Sequence, residues 1–94
     1  MLTSTQRKRL RGLAHPLEPV VQVGHQGVTD AVLEQVRGAL LAHELIKVRL
    51  REPEDKKALA AALAAGSESE PCGLVGHTVI LYKRHPEKPR ISVD

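Results

Sequence analysis

The stretch ELIKVRLRE, residues 44–52, restricts the possible folds of this chain more than any other. Ile46, Val48 and Leu50 alternate with Lys47, Arg49 and Arg51. Successive side chains of a strand point to opposite faces, so this period of two puts aliphatics on one face and cations on the other. A sheet buried on both faces would not carry cations at alternate positions. One face must therefore meet a core, and the other must meet solvent or something anionic.

The flanking segments supply helices to cover the apolar face. Thr3 followed by Gln6 forms a capping-box pattern and predicts a helix over 4–14, with Leu10, Leu13 and Ala14 on its apolar side. His15-Pro16 stops it. PVVQV, residues 19–23, reads as a short buried strand. Thr29 is a suitable N-cap, and Val32, Leu33, Val36, Ala39, Leu40 and His43 recur at helical spacing, which predicts a helix over 30–43. After the cationic strand, Pro53 suits the first turn of a third helix, and Gly66 is expected to end it. GSESEPCG, residues 66–73, reads as a mobile loop whose end enters the next strand. Strands are expected over 71–75 and 78–84, joined by a tight turn at Gly76-His77. HPEKPRISVD, residues 85–94, reads as an extended tail. The order αβαβαββ, with no repeat and no linker, predicts one α/β domain over residues 1–94, a small two-layer sandwich with helices largely on one side of the sheet. Its core covers about 2–85.

Composition narrows the function classes. The chain of 94 residues has no Phe, no Trp and one Tyr, so Leu, Val, Ile and Ala must fill its core. Its net charge of +3 is mildly basic and identifies no partner by itself. A single cysteine, Cys72, forms no internal disulfide, which fits a reducing compartment. No apolar stretch is long enough to span a bilayer, and the N-terminal segment lacks a secretory core, so a cytoplasmic protein is expected. The histidines are scattered, with no HExxH and no CxxC, and no nucleophile elbow occurs. Neither an enzyme nor a metal or cofactor site is expected.

Two features point to a binding function. Gly24-His25-Gln26-Gly27 lies between a strand and a helix. Glycines let a backbone approach a ligand closely, and a helix N-terminus presents unpaired N–H groups that favour phosphate. The same loop also reads as a plain turn that needs glycine dihedrals. The cations are segregated as well. Residues 1–17 and 71–86 contain no acid, while acids gather at 52–55 and 68–70. Arg7, Lys8 and Arg11 share one sector of the first helix, Lys47, Arg49 and Arg51 share a strand face, and Lys83, Arg84, Lys88 and Arg90 lie near the C-terminus. Such segregation suits a basic binding face, against the plainer reading of a solvated surface. Tyr82 suits either stacking on a base or packing in the core.

The segments RLRGLAH, VGHQGVT, HELIKV and VILYKR, in this order and spacing, resemble the CRM domain, the chloroplast RNA-splicing and ribosome-maturation module. The single-domain bacterial YhbY-like branch is the nearest match. The resemblance covers residues 2 to about 85; segment 52–72 matches weakly and carries no functional inference. It implies a four-stranded mixed sheet similar to the C-terminal domain of bacterial translation initiation factor three. It also implies RNA binding through a GxxG loop compared with that of KH domains, and association with precursors of the large ribosomal subunit. Carried onto this chain, the loop is Gly24, His25, Gln26 and Gly27. The supporting residues are Arg7, Lys8, Arg11, Lys47, Arg49, Arg51, Tyr82 and Arg84. Family loops often carry a basic residue between the glycines, where this chain has His25 and Gln26. RNA is the expected partner and a monomer the expected state. The competing expectation is a protein-interaction module whose basic face docks an acidic partner, with GxxG a turn only.

Overall fold

A computed structural model describes residues 2–94. The elements run α1 (Ser4–Ala14), β1 (Val21–Val23), α2 (Asp30–His43), β2 (Leu45–Leu50), α3 (Lys56–Ser67), β3 (Glu70–Val75) and β4 (Thr78–Tyr82). The strands form one sheet in the order β1-β2-β4-β3. β1 runs parallel to β2, with Val21 opposite Val48, and the other pairings are antiparallel. The sheet is therefore mixed, as expected.

Local chemistry sets the helix boundaries. Thr3 Oγ1 accepts from the Gln6 amide at 3.1 Å, and Gln6 Oε1 accepts from the Thr3 amide at 2.9 Å, closing the capping box. Thr29 Oγ1 accepts from the Val32 amide at the head of α2. α3 departs from expectation at both ends. Its N-cap is Asp55, whose carboxylate accepts from the Ala58 amide, so Pro53 lies ahead of the helix rather than in its first turn. Gly66 lies within the helix, which runs on to Ser67 and is capped by Glu68 in the left-handed region. Packing explains the glycine. A Cβ at Gly66 would lie 2.7 Å from Leu33 Cδ2, so its absence lets α2 and α3 approach. The segment expected to be a mobile loop is short and tied. Ser69 N–H donates to Ala64 O, and Ser67 Oγ donates to Leu63 O.

The period-two expectation for β2 holds. Ile46, Val48 and Leu50 join Val21, Val23, Val79 and Leu81 beneath α2 and α3. The opposite face is divided. At its β3–β4 half, α1 lays Leu10 and Ala14 over Leu45, Cys72, Ile80 and Tyr82 in a second apolar cluster. At its β1–β2 half, Gln22 and Arg49 are exposed. α1 thus adds a partial layer on the cationic face, because that face is apolar at one end.

The C-terminal tail has no regular structure, but it is held in place. Glu44, at φ 64° and fully buried, accepts from the amides of His85, Arg90 and Ile91. Burial pushes its carboxyl up, and the three amides with the Arg90 charge outweigh this and hold it below the usual range. Arg9 donates to Ser92 O, and Ile91 and Val93 pack on the second cluster.

Candidate nucleic-acid interface

The loop expected to meet phosphate connects β1 to α2 at one end of the sheet. Gly27 N–H donates to Gly24 O at 3.1 Å, and Thr29 N–H donates to Gly27 O at 3.1 Å. Gly24, His25 and Gln26 are exposed. The two glycines differ. Gly27 sits at φ 73°, a conformation that disfavours a side chain. Gly24 has no left-handed φ, and a Cβ there would meet nothing within 4 Å. The turn explains Gly27 but does not explain Gly24. At the head of α2, Thr29 takes the amides of Val32 and Leu33. The amides that precede them face the loop, as at any helix start.

The cations form a row leading to this loop. Between α1 and the sheet lies a groove of about 710 Å³, lined by Lys8, Arg11, His15, Lys47 and Thr78 among others. Lys47 Nζ donates to His15 O at 3.0 Å, which fixes it on the groove wall. The Arg11 stem crosses β3 at Gly73, where a Cβ would come within 2.6 Å of Arg11 Cδ. Its guanidinium donates to Cys72 O at 2.9 Å. Arg49 follows Lys47 on the same side of β2 and is exposed. Arg51, just past the end of β2, shares a hollow of about 490 Å³ with Gly24, His25, Gly27 and the α3 residues Ala58, Leu59 and Ala62, so it meets the loop on the α3 side. From Lys47 to Arg51 the chain advances roughly 13 Å. Acids border the loop end of the row, since Glu52, Glu54 and Asp55 line the same hollow.

Three of the expected residues lie apart from this row. Tyr82 is 6% exposed and packs with Leu10, Leu45 and Ile80, so the open choice resolves to the core and its ring offers no face to a base. Burial, then the Glu44 charge, pushes its phenol up. Arg7 donates to Leu2 O and is partly buried. Arg84 lies past the end of β4, beside Arg37 and the exposed Leu41 in a separate hollow. That is a strand length from the loop, roughly 20 Å for six residues. His15 and Glu18 line the groove but were not expected there; an irregular segment carries no periodicity to place them.

Nothing in this arrangement suggests an activated nucleophile. Cys72 is buried, and its thiol is pushed up to about 11 by desolvation first and by Glu70 second. Among the described residues, no group of three His, Cys, Asp or Glu side chains is placed to hold a metal ion, and no helix is long and apolar enough to cross a membrane.

A four-stranded mixed sheet with a GxxG loop at one end and a cationic half-face beside it defines a small α/β domain of the kind that the sequence resembled. The chain belongs to the CRS1 / YhbY (CRM) domain family, whose model matches residues 2–83. It is 43% identical over 95 residues to "Probable RNA-binding protein YqeI" of Bacillus subtilis, covering 99% of each chain. It is 36% identical over 88 residues to a Haemophilus influenzae protein named "RNA-binding protein", covering 92% of this chain and 89% of that one. The solution structure of the hypothetical protein SAV1595 from Staphylococcus aureus is similar with a TM-score of 0.85, at 34% identity and 98% coverage of both chains.

Proposed function

We propose that this protein binds RNA through the GxxG loop and the cationic row that leads to it. The names of its relatives support RNA as the partner. The observation that carries the loop's role is Gly24. Its backbone conformation and surroundings would accept a side chain, so glycine here leaves the exposed main chain open to close approach by a phosphate. Lys8, Arg11, Lys47, Arg49 and Arg51 then position the backbone and supply a salt-dependent, sequence-independent part of affinity. The acids around Arg51 limit the phosphate's approach to the β1 side of the loop. The function is one of binding and not of catalysis, in the cytoplasm, by a monomer. The resemblance to the bacterial branch supplies the RNA class, precursor ribosomal RNA of the large subunit.

Crosslinking in cells followed by sequencing of bound RNA tests this. Large-subunit precursor RNA should be enriched over total RNA. RNA bound without that enrichment sinks the assembly role and leaves RNA binding standing. The alternative, a basic face docking an acidic protein, is favoured only by the hollow where Arg37, Lys83 and Arg84 surround exposed Leu41. It predicts that the purified protein carries no nucleic acid, which an absorbance ratio reads directly.

A further inference from the structure

β2 outruns β1. The parallel register starts at Val21 opposite Val48, and Val20 N–H donates to Lys47 O. Leu45 and Ile46 lie beyond the last of these pairings. The Lys47 carbonyl points toward β1, and by strand alternation the main chain of Leu45 points the same way. Over this end lies a pocket of about 420 Å³, floored by Leu45 and Ile46 and walled by Leu13, Leu17, Val20 and Ile91. Leu13, Leu17 and Val20 are 42%, 40% and 52% exposed, so the pocket wall offers a small, accessible apolar surface.

We propose that this pocket receives an unpaired nucleobase of the bound RNA. The inference rests on the RNA reading above and identifies the structural class of RNA, one with a base out of its stack. Continuity is the first ground. Leu17 and Glu18 line both this pocket and the cationic groove of Lys8, Arg11 and Lys47. A strand whose phosphates follow that groove therefore passes the pocket mouth. Composition is the second ground. Proteins that hold splayed bases usually stack them on aromatic rings. This chain has no Phe or Trp and its one Tyr is buried, so a base meets either an exposed arginine plane or this aliphatic cleft, and of the two the cleft is the concave one. The rim is the third ground. Glu18 and His43 lie at the edge of an otherwise apolar cavity. A base combines apolar faces with a hydrogen-bonding edge, and the Leu45 main chain adds polar groups for that edge. The pocket is large enough, since ligand sites of roughly 300–1,000 Å³ are usual.

The test uses a short RNA duplex, the same duplex with one looped-out nucleotide, and that bulge made abasic. The abasic form keeps the phosphate and the bend and lacks only the base. The parent protein should bind the intact bulge about fivefold or more tighter than the abasic one, as burial of a modest apolar area requires. A Leu13→Gln, Val20→Gln double variant keeps the net charge and alters only exposed side chains of the pocket wall. It should bind the two bulges equally while keeping its affinity for the plain duplex. Should that variant not fold, methyl resonances of Leu13, Leu17, Val20 and Ile91 in the parent give the same answer, shifting with the intact bulge and not with the abasic one. Equal binding of both bulges by the parent, or unchanged discrimination by the double variant, overturns the base pocket and leaves RNA binding intact; the apolar wall would then await a protein side chain. Failure of the parent to bind any of the three RNAs, by contrast, overturns the RNA reading as well.

Discussion

On one face of the sheet, Ile46, Val48, Leu50, Val79 and Leu81 lie beneath α2 and α3 and are at most 2% exposed. On the other, Leu45, Ile80 and Tyr82 lie beneath α1, while Arg49 stays exposed. The same strands build both faces, and only the side-chain period separates them. The first face secures the fold, and the second is half fold and half surface. Substitutions should therefore divide by face: those beneath α2 and α3 act on stability, and those on the open half-face act on binding.

The largest effect on stability is expected at Leu63, fully buried between α3 and the sheet. Leu63→Ala should cost about 2–5 kcal/mol, read from chemical denaturation. A loss under 1 kcal/mol would mean that the covered face is loosely packed, and the contrast between faces would weaken.

Glu44 should come next, because it joins the sheet to the tail that covers the α1 side. Glu44→Ala leaves three part-buried amides without their carboxylate and should cost about 1–3 kcal/mol. The same site makes the tail sensitive to acid. The folded carboxyl lies below its unfolded value of 4.5, so its contribution is present above that value and lost as pH falls through the folded one. Protection of the His85, Arg90 and Ile91 amides, measured against their intrinsic exchange rates at each pH, should fall under acid before that of the β2 and β4 amides. Simultaneous opening of tail and sheet would show that the clasp has no independent role.

The exposed cations should behave in the opposite way. Arg49→Ala and Arg51→Ala should change stability by less than about 0.5 kcal/mol. Each should weaken RNA binding across sequences and reduce the magnitude of the log–log salt slope by roughly 0.7–0.9. Unchanged slopes in both variants would make the strand face merely solvated. Lys47→Ala should share the binding effect and add a small loss of stability, since its ammonium also holds His15 O.

How much of this was legible in the sequence follows from what each signal measures. Periodicity and caps are local, and they located α1, α2 and β2 to within two residues. Contacts across the fold leave no local trace. Gly66 reads as a helix stop by itself, and only Leu33 across the interface explains why the helix continues. The burial of Tyr82 depends on α1 crossing its face, which strand alternation cannot reveal. The Glu44 clasp joins residues more than 40 positions apart, and nothing in ELIKVRLRE announces a buried carboxylate. The cationic row was legible because it needs only one strand and one helix face. The pocket beside it was not, because it arises where one strand outruns another.

The smallest effect on stability belongs to the most direct test of the central claim, that the GxxG loop faces RNA. His25 and Gln26 are exposed at its tip, beside Gly24, which the fold does not require to be glycine. Changing both to Asp should leave melting nearly unchanged, since exposed substitutions usually stay within about 0.5 kcal/mol. Each new charge near a phosphate at about 4 Å would oppose it by up to roughly 4 kcal/mol before solvent screening. Even a quarter of that lowers affinity by about fivefold. The measurement is RNA affinity of the His25→Asp, Gln26→Asp double variant against the parent at one fixed salt concentration, with melting recorded on the same samples. Normal melting with at least severalfold weaker binding is the expected result. Normal melting with parental affinity would contradict the claim and make the loop a turn between β1 and α2.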